Sequence, residues 1–149
     1  MRALLVTLCA LGLGATMAAQ TDGAKPAGGD SKATVYVYRY KQFAGSGLTP
    51  SVYCDEQEMA RMDNGRYFQV QIGAGKHTFR SNDQQASIEL DTKAGQKYYI
   101  RIEIAAGLMK GHGRVVLMSP EQGESEIKKL KPLDEGDVRD HDKVVVAAL

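Results

Sequence analysis

The glycines and the lysine of residues 72–79, IGAGKHTF, are residue types that phosphate-binding loops use. A nucleotide-binding P-loop follows the pattern G-x-x-x-x-G-K-[ST], in which loop amides hold the phosphates and a helix follows. Counted back from Gly75, the first glycine would stand at position 70, which is Val70, and the magnesium-binding hydroxyl would stand where His77 is. We therefore interpret residues 73–76 as the turn of a β-hairpin, in which glycine supplies a positive φ.

The three histidines, His77, His112 and His141, have a spacing that does not predict a metal site. None lies two or four residues from another histidine or from a cysteine, as zinc ligands commonly do. Residues 137–142, DVRDHD, contain aspartates that could bind calcium, but they lack the glycine and the final glutamate of a calcium loop. No G-x-S-x-G nucleophile motif occurs. We therefore predict no catalytic, cofactor-binding or metal-binding residues, and no cofactor.

Cys54 would be the single cysteine of the chain after removal of the first 19 residues. One cysteine cannot form an internal disulfide. We interpret Cys54 as a small buried residue on a strand, because no histidine lies near it in sequence to activate the thiol. An intermolecular disulfide or a reactive thiol is the alternative that stays open.

The tyrosines are the residues that most suggest binding. Tyr36, Tyr38 and Tyr40 alternate along one predicted strand and therefore share one face of it, while Tyr98 and Tyr99 lie on another strand. We favour packing of these rings in or on the core, since aromatic residues are usually buried. The alternative is an exposed aromatic strip that binds a glycan, a peptide or a partner protein, with Tyr36, Tyr38 and Tyr40 as the candidate binding surface.

Residues 1–19 have the features of a secretory signal peptide: a basic start, a short apolar run and small residues near Ala18 and Ala19. The apolar run is too short for a transmembrane span, which needs about 20 residues. We expect cleavage near Ala18 or Ala19 and export to the periplasm or the extracellular space. We expect no lipid anchor at Cys9, because Leu8 stands where a lipoprotein signal has a small residue.

The charge of the chain is close to balanced, with 19 lysines and arginines against 18 acidic residues. Loss of Arg2 with the signal peptide would make the chain neutral. A neutral chain has no strong field to attract nucleic acid or an anionic membrane. We therefore expect no nucleic-acid partner, and the sequence leaves the oligomeric state open.

Most of the remaining chain has the period of two that is typical of strands. Residues 20–32 are polar and rich in glycine and predict a flexible linker. From residue 33 to residue 133, alternating segments recur every 8 to 12 residues with turns between them, as in an antiparallel sandwich or barrel. The predicted core comprises Val35, Val37, Val70, Ile72, Phe79, Ile88, Leu90, Ile100, Ile102, Val116 and Met118.

The C-terminal part differs from the strands. Ser119, Pro120 and Gln122 fit the start of a helix, with a capping hydroxyl and a proline in the first turn, although Gly123 inside the helix is unfavourable. Residues 134–149 are predicted to be a charged, mobile tail. Its valines would form either an edge strand or a frayed terminus.

Three segments carry a family resemblance: VYVYR at 35–39, MDNGRYFQVQIGAGKHTF at 62–79 and AGQKYYIRIE at 94–103. They resemble the bacterial domain family of unknown function DUF2846 over about residues 33–119, with Ala74 where we would expect a proline. The resemblance implies an extracytoplasmic all-β protein. The expected fold is an antiparallel β-sandwich of roughly seven to eight strands, immunoglobulin- or prealbumin-like, with one short C-terminal helix. The family implies no catalytic residues.

Three functions are compatible with these features. We favour a non-enzymatic binding or scaffolding module of the cell envelope, whose partner would be an envelope protein, a peptide or a glycan. The alternatives are a hydrolase or metal-dependent enzyme, whose site is assembled in space from loop residues such as His112, and an inert structural spacer. Clustering of a histidine, an aspartate and Cys54 within about 5 Å would favour an enzyme. A flat tyrosine face of several hundred Å² would favour a binding protein.

Overall fold

The structure is a computed structural model that describes residues 32–105, 112–147 and 149. The predicted signal peptide at 1–19 and the predicted linker up to residue 31 lie outside the described residues. The same holds for most of the glycine-rich loop at 105–113. The part of the chain that is described contains no helix with the length and hydrophobicity needed to cross a membrane.

The described residues form ten strands and one α-helix. The strands are β1 (Lys32–Tyr38), β2 (Ser51–Cys54), β3 (Gln57–Arg61), β4 (Arg66–Gly73), β5 (Gly75–Arg80), β6 (Ser87–Thr92), β7 (Lys97–Ala105), β8 (His112–Met118), β9 (Lys131–Pro132) and β10 (Val144–Val145). Helix α1 (Pro120–Ile127) lies between β8 and β9, and a 3-10 turn (Glu135–Asp137) follows β9.

The strands form two sheets that pack face to face, which confirms the all-β sandwich. The larger sheet has the order β10-β4-β1-β7-β8, with β9 also paired to β4, and the smaller sheet has the order β3-β2-β5-β6. Two pairs, β1 with β7 and β4 with β9, are parallel rather than antiparallel. In each pair the chain leaves the larger sheet after the first strand and returns to it before the second. The two strands are therefore not joined by a hairpin, and a long connection of this kind allows them to run parallel.

The core lies between the sheets and contains most of the residues that alternation predicts. Each strand turns every second side chain inward, so the apolar members of the alternating segments meet across the sandwich. Ile88 is partly buried against this core. The predicted residues that are buried are Val35, Val37, Val70, Ile72, Phe79, Leu90, Ile100 and Ile102.

The predicted core was wrong in β8. Val115 is buried in the core, whereas Val116 is only partly buried and Met118 packs on the outer face of the sheet. The register of β7 and β8 gives the reason, because Val115 pairs with Ile102, which faces the core, and Val116 pairs with Arg101, which faces outward. Two adjacent valines cannot show by themselves which one faces inward.

Helix α1 lies on the outer face of the larger sheet and begins as predicted. Ser119 is the N-cap, and its side chain accepts a hydrogen bond from the Gln122 amide. Gly123 lies directly against the ring of Tyr99, where an added Cβ would come within 2.3 Å of ring atoms. The close approach of helix and sheet therefore requires the glycine that helix propensity alone disfavours.

Residues 134–147 are packed against the sandwich, in contrast to the mobile tail predicted for 134–149. Val138 and Val144 are buried, and β10 pairs antiparallel with β4. The hydroxyl of Tyr67 donates a hydrogen bond to the carbonyl of Ala147 at 2.9 Å. Burial of the valines stabilises the packed arrangement, and the charged residues between them do not oppose it because they remain at the surface.

Candidate functional site

The tyrosine face predicted from alternation is covered by helix α1. Tyr36 and Tyr38 are buried, and Tyr36 stacks on Tyr99 with ring centroids 5.1 Å apart. Tyr40 is half-buried and packs edge-on against Tyr38. Of the candidate binding surface of Tyr36, Tyr38 and Tyr40, only Tyr40 thus reaches solvent.

A small cavity remains between α1, the sheet and the C-terminus, next to the stacked tyrosines. Tyr36, Tyr99 and Ile127 contribute to its lining, and its volume is about 110 Å³. Sites for small organic ligands usually measure about 300–1,000 Å³. The cavity is therefore too small for a ligand of that class, and the tyrosines act mainly as packing residues.

A carboxylate, Glu126, is buried beneath the helix among these tyrosines. It accepts hydrogen bonds from the hydroxyl of Tyr38 at 2.5 Å and from Nε2 of Gln122 at 2.9 Å, and Arg101 lies at 3.4 Å. Burial opposes ionisation of Glu126, but the hydrogen bonds from the tyrosines and Gln122 and the charge of Arg101 outweigh it, and its pKa lies below the usual range. Burial, with the hydrogen bond to Glu126, raises the pKa of Tyr38 well above its usual value.

The β1–β2 connection, residues 39–50, holds a second candidate site, here called the Phe43 loop. Phe43 lies at the tip of this loop and is 99% exposed, which is the highest value among the exposed large hydrophobic residues of the described chain. The loop is nevertheless ordered, with turn hydrogen bonds from the Ser46 amide to the Phe43 carbonyl and from the Leu48 amide to the Gly45 carbonyl.

Arg39 holds the Phe43 loop from inside the protein. It is 1% exposed and lies on the same face of the chain as the core valines of β1. Its guanidinium donates to the carbonyls of Leu48 at 2.5 Å and Gly45 at 2.6 Å, and Nε has no partner among the described residues. Burial lowers the pKa of Arg39. The buried guanidinium of Arg39 thus fixes the backbone of the loop through these two hydrogen bonds.

Asn64, in the turn between β3 and β4, holds the loop from the other side. Its Oδ1 accepts from the Gln42 amide at 2.9 Å, and its Nδ2 donates to the Gln42 carbonyl at 2.8 Å. These paired bonds resemble a rung of a sheet and fix the residue next to Phe43. The signals for this site in the sequence are a charged residue on the inward face of a strand and an aromatic residue in a polar loop rich in glycine, KQFAGSG.

A third cluster brings together Cys54, Asp55 and His77, which sequence spacing keeps apart. Strand β2 pairs with β5, so the end of β2 lies beside His77. One ligand atom from each residue falls within 4.8 Å of the others. Nδ1 of His77 is 2.7 Å from Oδ2 of Asp55, and Sγ of Cys54 is 3.7 Å from the same oxygen. His112 and His141 are exposed and lie outside this cluster.

The electrostatics of the cluster disfavour thiol chemistry. Burial, together with the negative charge of Asp55, raises the pKa of Cys54 to about 12, so the thiol is protonated at neutral pH. A thiol rather than a thiolate is a poor nucleophile. Burial also opposes ionisation of Asp55, but its hydrogen bonds with His77 and the Thr78 amide outweigh this and lower its pKa. The cluster meets the distance expected of an enzyme site but lacks an activated nucleophile.

Comparison with known proteins gives one family match. The family "Protein of unknown function (DUF2846)" matches residues 29–115. No curated protein and no solved structure matches the chain. The matched residues contain the Phe43 loop and the cluster of Cys54, Asp55 and His77, and they end before helix α1.

Proposed function

This chain belongs to the DUF2846 family of proteins of unknown function, and from that premise we propose that it is a non-enzymatic binding module of the cell envelope. In this proposal its partner is an envelope protein with an apolar pocket that accepts Phe43. The proposal rests on one observation, the presentation of a fully exposed aromatic side chain by a loop that is fixed from both sides.

The exposure of Phe43 favours a binding role on energetic grounds. Transfer of a phenylalanine side chain from water into an apolar pocket contributes about 1.5–3 kcal/mol before the costs of association are counted. Aromatic residues at the centre of interfaces often carry much of the binding energy. Phe43 makes the loop apolar at its tip without contributing to the folded core.

The order of the loop adds to this argument. Binding costs free energy when a mobile segment has to be fixed, so a loop that is held in advance binds with a smaller loss of entropy. Arg39 and Asn64 supply that order through four hydrogen bonds to the loop backbone. Burying a charged arginine is costly, and its two hydrogen bonds to the loop carbonyls offset part of that cost.

Export is the part of the proposal that depends on the sequence of residues 1–19. A positive start, a short apolar run and small residues are the parts of a secretory signal. The buried, protonated thiol of Cys54 is compatible with an oxidising compartment, since it is protected from disulfide exchange. Mass spectrometry of the extracytoplasmic fraction should find a mature N-terminus close to Gln20.

The binding role can be tested by a photoreactive amino acid placed at position 43 or at position 117 in living cells. Leu117 is the matched control, because its side chain is also hydrophobic and 50% exposed, but it lies on strand β8. We expect position 43 to cross-link to a specific envelope protein and position 117 not to do so. Equal cross-linking at both positions would contradict the proposal.

The affinity for the captured partner can then be measured with purified proteins. Phe43→Ser should weaken binding by about thirtyfold or more, which is the effect of removing an interface residue worth 2 kcal/mol. Leu117→Ser should change it little, and both variants should unfold at the wild-type temperature because neither side chain is in the core. If Phe43 instead drives binding to anionic lipid vesicles in sedimentation, the protein-binding function is wrong.

A further inference from the structure

The cluster of Cys54, Asp55 and His77 has the donor set of a transition-metal site. It offers one sulfur, one carboxylate oxygen and one imidazole nitrogen, all within 4.8 Å of one another. In a tetrahedral zinc site with bonds of 2.0–2.3 Å, ligand atoms lie about 3.3–3.8 Å apart. The Cys54 to Asp55 distance of 3.7 Å is close to this value. The His77 to Asp55 distance of 2.7 Å would have to widen by less than about 1 Å.

The surroundings of the cluster orient each ligand. Nε2 of His77 lies 3.0 Å from the carbonyl of Gly73, which fixes the ring and leaves Nδ1 facing the cluster. Oδ1 of Asp55 accepts the Thr78 amide at 2.9 Å, which leaves Oδ2 facing Cys54 and His77. Metal-binding histidines usually donate their second nitrogen to a carbonyl or a carboxylate in this way.

The charges of the cluster also fit a divalent cation. Cys54, Asp55 and His77 would hold a metal as a thiolate, a carboxylate and a neutral imidazole, which are the forms of these side chains that coordinate metals. The two negative ligands then balance the double positive charge of the ion, so the occupied site carries no net charge.

We propose that Cys54 Sγ, Asp55 Oδ2 and His77 Nδ1 bind one divalent ion of the zinc class, with a fourth position open to water or to a partner's ligand. The combination of sulfur and nitrogen selects zinc and its neighbours over magnesium and calcium, which prefer oxygen. Asp55 is exposed and gives the ion a route from solvent, while Cys54 closes the site from the core side. The ion would join the β2–β3 turn to strand β5.

The first test uses the full-length chain with Cys9→Ser, so that Cys54 is its only thiol. Cobalt(II) is the spectroscopic probe, because coordination by a thiolate gives a sulfur-to-cobalt charge-transfer band. We expect this band to saturate at one cobalt per chain, and added zinc to displace the cobalt and abolish the band. Magnesium and calcium at the same concentration should not displace it. Absence of a saturable band, or displacement by magnesium, would overturn the proposal.

The second test assigns the ligands. Cys54→Ser, Asp55→Asn and His77→Gln should each weaken zinc binding by more than about a hundredfold, since loss of an outer-shell partner alone costs 10–100-fold. Asn tolerates the left-handed conformation that Asp55 adopts with φ 50°, so Asp55→Asn should keep the fold. His112→Gln is the matched control, because His112 is exposed and outside the cluster, and it should bind zinc like the parent chain.

Thermal unfolding separates ligand loss from misfolding. Zinc should raise the unfolding temperature of the parent chain and of His112→Gln, because it binds the folded state. It should not raise that of a folded Asp55→Asn or His77→Gln variant. Retained stoichiometric zinc binding in these two variants, or its loss in His112→Gln, would show that the ion binds elsewhere.

Discussion

The hydroxyl of Tyr38 on β1 donates a 2.5 Å hydrogen bond to Oε2 of Glu126 on α1, and so joins two residues that are 88 positions apart in sequence. Glu126 also binds Gln122 of its own helix and Arg101 of β7. The aromatic cluster beneath the helix therefore contains one fully partnered charge. This contact sets the position of the helix on the sheet more narrowly than apolar packing alone would do.

Glu126→Gln should make the protein less stable at neutral pH and less sensitive to acid. The pKa of Glu126 is lowered in the folded state from its ordinary value of 4.5. Its contribution is therefore present above that value and is lost as the pH falls through the lower folded-state pKa. Urea unfolding at pH 7 should show a loss of about 1–3 kcal/mol, as for a hydrogen bond to a charged group.

The difference between Glu126→Gln and the wild type should shrink as the pH falls through the lowered pKa of Glu126, because below it both side chains are uncharged. Glu124→Gln is the matched control, since Glu124 is exposed and, among the described residues, forms a salt bridge only with Lys128, the C-cap of the same helix, at 3.4 Å. It should cost no more than about 0.5 kcal/mol. A loss in Glu126→Gln that does not change with pH would contradict an ionised Glu126.

Gly123→Ala should destabilise the protein although alanine is the better helix former. Alanine gains about 1 kcal/mol in helix propensity, but its methyl group would overlap the ring of Tyr99. Overpacking of this kind usually costs about 1–3 kcal/mol. Ser125→Ala, on the exposed side of the same helix, should be neutral or slightly stabilising. Chemical denaturation of the two variants checks this, and a stabilised Gly123→Ala would mean that the helix can move off the sheet.

These two positions show what the sequence could predict about the helix. The cap at Ser119 and the proline after it are local signals, so the start of the helix was predictable from adjacent residues. The fit of Gly123 to Tyr99 and the inward turn of Glu126 depend on which strand the helix covers. That information lies in contacts between distant segments, and no local pattern contains it.

The same limit applies to the candidate sites. Alternation placed Tyr36, Tyr38 and Tyr40 on one face, but it could not show that a helix covers that face. The Cys54, Asp55 and His77 cluster forms only because β2 and β5 are neighbours in the smaller sheet. Candidate sites that depend on the order of strands in a sheet could therefore not be predicted from the local sequence.

Arg39→Met should loosen the Phe43 loop without removing the loop's own residues. The two carbonyls that Arg39 binds would lose a charged donor, which corresponds to about 1.5–3 kcal/mol per bond. Hydrogen exchange should accelerate by about tenfold or more at the Ser46 and Leu48 amides relative to core amides. Lys41→Met, an exposed change in the same loop, should leave exchange unchanged. Equal protection in Arg39→Met and wild type would show that Arg39 does not order the loop.

Gly75→Ala should lower stability by about 1 kcal/mol or more, because Gly75 has a φ of 136° that side chains rarely adopt. Gly73→Ala is a close control, since Gly73 has an ordinary φ and open space around its Cβ position, and it should be tolerated better. Lys76→Ala should change little, because the lysine is exposed. Thermal unfolding of the three variants checks this order.

Calorimetric titration of the wild type with ATP and with inorganic phosphate should show no heat beyond dilution. The predicted hairpin was wrong, because the β4–β5 turn joins strands of different sheets that do not pair with each other. It still joins two strands, so no helix follows it to direct amides at a phosphate. Micromolar ATP binding that Lys76→Ala abolishes would contradict this interpretation of residues 72–79.

The parallel pairing of β1 with β7 has a consequence for the order of assembly. β1 is the central strand of the larger sheet, with β4 on one side and β7 on the other. During synthesis the N-terminal residues appear first. The edge of β1 that later pairs with β7 therefore stays unpaired until residue 97 has been added to the chain. Nearly the whole domain must therefore be present before its first strand is covered on both edges. Such non-local pairing is slow to form and exposes a strand edge meanwhile, which is a state that a chaperone would protect.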